Sequence, residues 1–124
     1  MPAKLTGALV LAAILLPASG TRADGDPAAG AVVFKKCALC HSPDAGVNKV
    51  GPSLHGVVDR HSASLPTYSY SPAMKAADKT WDEKELDTYL TNPRKEVPNT
   101  KMIFPGLPDE KDRQDVIAYL KTLK

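Results

Sequence analysis

The 124-residue sequence has little of what stabilises many small proteins. Only 6% of its residues are aromatic and only two are cysteines, so neither a large aromatic core nor a disulfide framework can hold the fold. Period-two alternation of β-branched residues is missing, which predicts few strands. Neither an internal repeat nor a linker indicates a second domain. A single small domain buries only a modest core, and a large apolar ligand at its centre would supplement that core.

A long apolar run is also missing. The longest run begins at Leu5 and covers about 12 residues, whereas a membrane-spanning helix needs roughly 20. Lys4 precedes the run, and small residues ending in Ala23 follow it, as in secretory signal peptides. We predict that residues 1–23 are a signal peptide and that residues 24–124 are the mature domain. The alternative is an uncleaved N-terminal anchor.

The mature chain has no excess charge of either sign. The whole sequence carries 16 Lys and Arg against 14 Asp and Glu, and Lys4 and Arg22 would leave with the signal peptide, which gives 14 against 14. Domains that bind nucleic acids usually have a marked basic excess, so we expect no nucleic acid partner. Several basic residues nevertheless cluster near the motifs described below: Lys35, Lys36, Lys49, Arg94, Lys95 and Lys101.

Apolar spacing predicts three main helices joined by long loops. The helices are predicted over residues 27–38, 81–92 and 109–123, and a shorter one over residues 71–77. Thr80 and Glu83 have the spacing of a capping box for the second helix. The loops are rich in proline and glycine, and loops of such length in a small domain are usually functional or wrapped around a ligand.

The two cysteines and a histidine form the most informative motif, Cys37-Ala38-Leu39-Cys40-His41. In a Cys-x-x-Cys-His motif the thiols attach a c-type haem, and the following histidine is then held against the ring. We therefore predict one covalently bound haem c, attached through Cys37 and Cys40, with His41 as an iron ligand.

A Cys-x-x-Cys pair can also be a redox-active dithiol. Such a dithiol normally lies between a strand and a helix, whereas this pair follows a predicted helix. An inert disulfide and a zinc site are further alternatives. Zinc needs four nitrogen or sulfur ligands, and the chain offers only His55 and His61 beyond the motif. Haem attachment is the interpretation that we adopt.

The second axial position of the iron separates electron transfer from catalysis, because a second strong protein ligand favours electron transfer. The candidates are Met74, Met102, His55 and His61. Met74 falls in the predicted short helix, where packing explains it, and the two histidines are most simply loop residues. Met102 lies in a proline-rich loop far along the chain from His41 and is free to approach the other face of the ring. We predict Met102 as the second ligand.

Further motifs cover nearly all of the chain beyond Gly25. They occupy residues 34–41, 50–60, 70–77, 80–81, 89–93, 97–104 and 117–120. In order and spacing they closely resemble the class I cytochromes c, that is, the soluble mitochondrial cytochromes c and the bacterial periplasmic cytochromes c2.

The resemblance implies roles for further residues around the haem. Pro52 matches the position whose carbonyl accepts a hydrogen bond from the histidine ligand, here His41. Tyr70, Trp81 and Arg60 match groups that hold or neutralise a buried haem propionate, whose charge would be costly if unpaired.

Other matches concern the methionine side of the haem and the helix packing. Tyr89 and Thr100 match polar neighbours of the methionine ligand. Gly30 and Tyr119 match the contact where the first and last helices cross. Asn99 stands where the family usually has glycine, and because asparagine tolerates a left-handed backbone, we expect the loop to keep its conformation.

The resemblance implies an all-α fold, a small cytochrome c domain of three main helices and long loops around one covalently bound haem. It implies a periplasmic one-electron carrier, not an enzyme, that shuttles electrons between respiratory or photosynthetic complexes. The expected partners are a quinol-oxidising complex and an oxidase, a reductase or a photosynthetic reaction centre. We expect a monomer without a stable membrane anchor. The alternative is a haem enzyme or gas sensor with a labile sixth ligand.

Overall fold

The computed structural model describes residues 1–3 and 25–124. The predicted signal peptide therefore lies almost wholly outside the described residues, as does its cleavage site. The described part contains five helices and no strands: α1 (Pro27–Phe34), α2 (Pro72–Ala77), α3 (Glu83–Thr91), α4 (Pro93–Glu96) and α5 (Glu110–Lys121). None of these helices is long and apolar enough to cross a bilayer. The prediction of an all-α fold with long loops is confirmed.

Helix α1 begins as its sequence predicts and ends earlier. The Asp26 carboxylate accepts the N–H group of Ala28 at 2.9 Å, and Pro27 occupies the first turn. The predicted end at residue 38 is wrong, because the helix stops at Phe34. Beyond that residue the N–H groups of three successive residues donate to carbonyls three positions back instead of four. The chain therefore continues into the cysteine motif as tight turns.

Helix α3 begins two residues later than predicted, and the capping box is wrong. Asp82 caps the helix, since its carboxylate accepts the N–H group three residues further on at 2.7 Å. Thr80 instead forms an isolated antiparallel bridge with His61. The N–H group of Trp81 donates to the carbonyl of Arg60 at 2.9 Å. This bond holds the backbone extended through Trp81, so the helix cannot start before it.

The remaining helices agree more closely with the sequence. The predicted short helix is α2, with Ser71 as its N-cap. Helix α5 starts after Asp109, whose carboxylate accepts the N–H group of Asp112 at 3.1 Å. The single turn α4 was not predicted, because Asn92 and Pro93 were assigned to the end of one helix and the start of a loop. Asn92 caps α4 through its side chain.

Helices α1 and α5 cross at Gly30. A methyl group at this position would collide with the carbonyl oxygen of Asp115 and with Cβ of Tyr119. Next to the crossing, the rings of Phe34 and Tyr119 have centroids 5.0 Å apart. The predicted contact between Gly30 and Tyr119 is thus present in the fold, and only glycine allows the two backbones to approach so closely.

The buried core connects α1, α3 and α5 with residues of the segments between the helices. Its members come from α1, α3, α5 and the segments between them: Phe34, Val57, Trp81, Leu86, Tyr89, Val97, Leu107, Val116, Ile117 and Leu120. Arg113 joins α5 to α3, because its Nε donates to the Asp87 carboxylate at 2.8 Å. The core is small and surrounds one side of a large cavity, where the predicted site residues lie.

Candidate functional site

A cavity of about 640 Å³ lies between the loops and the inner faces of the helices. It has the size of the pockets in which proteins bind small organic ligands. Its lining includes every residue that the sequence predicted for the site: Cys37, Cys40, His41, Pro52, Arg60, Tyr70, Trp81, Tyr89, Thr100 and Met102. Residues that are more than 60 positions apart in the chain therefore meet at one cavity.

The cysteine motif forms turns at the wall of this cavity. The N–H group of His41 donates to the carbonyl of Cys37 at 2.9 Å, so the two side chains are separated by one turn. Both cysteines are free thiols. Burial raises the pKa of Cys37 to about 11, although the nearby Lys36 charge opposes this shift. A reactive dithiol needs a lowered pKa, so this environment does not favour the dithiol alternative.

The His41 imidazole is fixed on one side by the backbone. Its Nδ1 donates a hydrogen bond to the carbonyl oxygen of Pro52 at 2.7 Å, which leaves Nε2 as the nitrogen available to a metal. Burial lowers the pKa of His41, while the bond to Pro52 opposes that shift. Because a histidine binds metals through its neutral ring, both the burial and the hydrogen bond suit a ligand.

Gly51 is a site residue to which sequence reasoning gave no role. It is buried, and a methyl group at this position would overlap the His41 imidazole. The sequence does hold a signal for this contact. Glycine allows a backbone to approach a ring closely, and Gly51 directly precedes Pro52, whose carbonyl accepts the hydrogen bond from His41.

Met102 lies beside two polar side chains. The hydroxyl of Tyr89 donates to the Met102 sulfur at 3.8 Å, and Thr100 makes a side-chain hydrogen bond with the same tyrosine. Burial raises the pKa of Tyr89, so its hydroxyl stays protonated and able to donate. The preceding Asn99 has φ of 64°, a left-handed conformation, as the sequence predicted.

The other candidates for the second iron ligand are His55, His61 and Met74, and not all of them reach the cavity. His55 does not line the cavity, whereas Met74 and His61 do. Nε2 of His61 is already bound to the Asp78 carboxylate at 2.9 Å. Met74 lies in α2 and packs against the core cluster. Among residues 1–3 and 25–124, no group of three or more histidines, cysteines and acidic residues could hold a metal ion, so the zinc alternative gains no support.

Arg60, Tyr70 and Trp81 lie together at another part of the lining. The Arg60 guanidinium donates to the carbonyls of Ser53 and His55, each at 3.0 Å. Burial lowers the pKa of Arg60. The carbonyl of Arg60 in turn accepts from Trp81. A cation held rigidly at the edge of an apolar cavity suits an anionic group of a bound ligand.

The residues present fit a haem. The cavity supplies two free thiols, one imidazole with a single nitrogen left for iron, a thioether and an arginine. Haem iron is commonly held by histidine and methionine in electron-transfer proteins. The close approach of Gly51 to the imidazole keeps the ring in a fixed orientation.

An all-α domain whose loops enclose a cavity with a Cys-x-x-Cys-His motif in its wall is a c-type haem protein. The sequence profile named Cytochrome c matches residues 27–124. The chain belongs to the cytochrome c family.

Several similar proteins are cytochromes c2. The cytochrome c2 of Rhodoblastus acidophilus is 50% identical over 101 residues, which cover 81% of this chain and 94% of that protein. The cytochrome c2 of Rhodomicrobium vannielii is 49% identical over 117 residues, 93% of this chain and 92% of that protein. The solved structure of cytochrome cH from Methylobacterium extorquens has a TM-score of 0.75 at 45% identity, covering 79% of this chain and 99% of that one.

These similarities confirm the predicted class I cytochrome of the c2 type. The protein carries covalently bound haem c, and it is an electron carrier.

Proposed function

We propose that this cytochrome is a periplasmic one-electron carrier whose haem iron is ligated by His41 and Met102. The observation that carries the proposal is the convergence of all ten predicted site residues on one cavity. When bound, the haem supplies the one-electron chemistry. The chain would supply two thiols for attachment, His41 and Met102 as iron ligands, and a largely apolar cavity.

On the motif side, the Cys37 and Cys40 thiols attach the haem and keep it next to His41. Pro52 orients the imidazole through its hydrogen bond to Nδ1. This bond also makes the imidazole a stronger donor to iron, since its N–H group is engaged by a carbonyl. The proposal is supported by Gly51, whose lack of a side chain leaves the space that the ring occupies.

Met102, in the loop between α4 and α5, provides the second ligand. The Tyr89 hydroxyl donates a hydrogen bond to its sulfur. Histidine and methionine ligation raises the reduction potential of a cytochrome c. Because both ligands come from the protein, no position is left open for a substrate. This is the reason for proposing a carrier and not an enzyme.

Arg60, Tyr70 and Trp81 hold or neutralise the haem propionates. The two backbone hydrogen bonds of the Arg60 guanidinium keep its charge in place. A buried carboxylate without such a partner would be costly. We therefore assign these three residues to propionate binding.

The partners follow from the raised potential. We propose that a quinol-oxidising complex reduces the protein and that an oxidase, a reductase or a photosynthetic reaction centre oxidises it. We further propose that the protein acts as a monomer, without a nucleic acid partner and without a stable membrane anchor, after cleavage of residues 1–23. Sequencing the N-terminus of the purified periplasmic protein should give Asp24 as the first residue.

An absorption spectrum of the purified protein tests the ligand set. We expect a low-spin haem, a weak far-red band from the sulfur-to-iron bond in the oxidised state, and no ready binding of carbon monoxide in the reduced state. A high-spin spectrum with rapid carbon monoxide binding would contradict the proposal and indicate a haem enzyme or gas sensor instead.

A further inference from the structure

Tyr68 is a cavity-lining side chain that the sequence did not single out. It makes three different contacts. Its hydroxyl donates to the carbonyl of Val50 at 2.7 Å, the ammonium of Lys101 lies 4.6 Å from the centre of its ring, and its ring meets that of Tyr70 edge to face at 4.8 Å.

Two of these contacts, those with Val50 and with Lys101, reach different loops. Val50 directly precedes Gly51 and Pro52, the residues that contact and hold the His41 ring. Lys101 directly precedes Met102. Tyr68 thus contacts both Val50, in the loop that holds His41, and Lys101, in the loop that carries Met102.

The residues on either side of Tyr68 also make hydrogen bonds to the two loops. On the Val50 side, the Asn48 amide donates to the carbonyl and the hydroxyl of Thr67, each at 3.1 Å. On the other side, the Lys101 ammonium donates to the carbonyl of Ser69 at 2.8 Å. The segment from Thr67 to Ser69 is therefore attached to both loops through directional hydrogen bonds.

We propose that Tyr68 is a positioning residue that couples the Met102 loop to the His41 loop and thereby keeps Met102 on the iron. The proposal rests on Met102 as the second ligand. Tyr68 acts through its contacts with Val50 and Lys101, the neighbours of the residues that hold His41 and of Met102. Its hydroxyl restrains one loop and the face of its ring restrains the other.

Imidazole added to the oxidised protein competes with Met102 for the iron and so measures how firmly that loop is held. We expect Tyr68→Phe, which keeps the ring, to raise the apparent affinity for imidazole about twofold to fivefold. Tyr68→Leu, which removes the hydroxyl and the aromatic face, should raise it further, to about tenfold. Tyr119→Phe is the matched control, because its ring packs on Phe34 and does not line the cavity. It should leave the affinity unchanged.

A second readout does not involve the iron ligand. The N–H group of Gly51 donates to the carbonyl of Cys40 at 2.7 Å. If the Tyr68 hydroxyl restrains the Val50 loop, this amide should exchange with solvent severalfold faster in Tyr68→Phe than in the wild type. Global unfolding by urea, measured in parallel, separates this local effect from a loss of overall stability.

The coupling itself is tested by a double-mutant cycle. Lys101→Gln should raise the imidazole affinity in the wild type and have a clearly smaller effect in Tyr68→Leu. Full additivity would overturn the coupling. The proposal would be overturned if both Tyr68 variants bound imidazole with the affinity of the wild type. It would also be overturned if the imidazole affinity changed only in proportion to the free energy of unfolding. Absence of the far-red band from the wild-type protein would refute Met102 ligation and this inference with it, whereas a normal band with unchanged variants refutes only the role of Tyr68.

Discussion

The Tyr89 hydroxyl lies 3.8 Å from the sulfur of Met102 and donates a hydrogen bond to it. Thr100 bonds to the same hydroxyl. A donor on a thioether withdraws electron density from the sulfur and weakens its donation to iron. The reduced iron carries less positive charge, so weaker donation favours the reduced state.

Tyr89→Phe should therefore lower the reduction potential. A typical net hydrogen bond contributes about 1 kcal/mol, which for a one-electron couple corresponds to roughly 40 mV. A redox titration of both proteins gives the shift. Tyr119→Phe, which removes a hydroxyl outside the cavity, should leave the potential in place. A rise in the potential of Tyr89→Phe would show that the bond acts in another way.

Met102→Ala should abolish the far-red band, lower the potential and let carbon monoxide bind the reduced iron. Met74 also lines the cavity, but it lies in α2 and packs against the core. Met74→Ala should keep the band and cost roughly 2 kcal/mol of unfolding free energy, the low end for a methionine truncation. Loss of the band in Met74→Ala instead would reverse the ligand assignment.

Cys37→Ala and Cys40→Ala should each weaken covalent attachment of the haem. Extraction with acidified acetone removes haem that is not covalently bound. The wild-type chain should keep its haem, and the double variant should lose all of it. Covalent haem on the double variant would contradict the role of both thiols, whereas a dithiol enzyme would keep its fold and lose only thiol exchange.

The residues of the site could be predicted more fully than the ends of the helices that carry them. His41 and Met102 belong to sequence motifs that are informative by themselves or through the resemblance. Thr80 has the residue type and spacing of a cap, but long-range hydrogen bonds hold Trp81 extended, and no local pattern contains that information. Gly51 and Tyr68 were missed for the same reason, because their contacts with His41 and Lys101 exist only in the folded chain.

Asp115 should make the stability of the protein depend on pH in acid. It is 4% exposed. The hydrogen bond from Lys111 lowers the pKa of its carboxyl most, followed by the bond from the Asp26 N–H group. The carboxylate therefore stabilises the fold at pH values above its unfolded pKa of about 3.9, and this contribution disappears as the pH falls through the lower pKa of the folded state.

Urea unfolding of wild type and Asp115→Asn between pH 7 and pH 2 tests this dependence. Asp115→Asn should be less stable at neutral pH, and the difference should narrow below about pH 4. Lys111→Met should move the loss of stability toward higher pH, since it removes the principal partner of the carboxylate. Curves that stay parallel throughout would exclude Asp115 as the titrating group.

Association with an acidic redox partner should slow as salt rises. Lys36 and Lys101 line the cavity, so their charges lie close to the proposed haem. Screening shortens the reach of charges to about 8 Å at physiological ionic strength. Lys36→Glu or Lys101→Glu should slow electron transfer at low salt and change it little at high salt.

Lys84→Glu, an equal charge change at an exposed position of α3 outside the cavity lining, is the control and should have a smaller effect. Rates that are indifferent to salt and to all three substitutions would mean that docking is mainly apolar. The exposed side chains of Leu39, Val50 and Ile103, which also line the cavity, would then carry it.

Helix α1 packs against α5 and against no other described helix. The hydrogen bond from the Asp26 N–H group to the Asp115 carboxylate joins residues 89 positions apart. Helix α1 leads into the turns that carry Cys37 and Cys40. The position of the cysteine motif therefore depends on a contact with the last described helix, although the two segments lie far apart in the sequence.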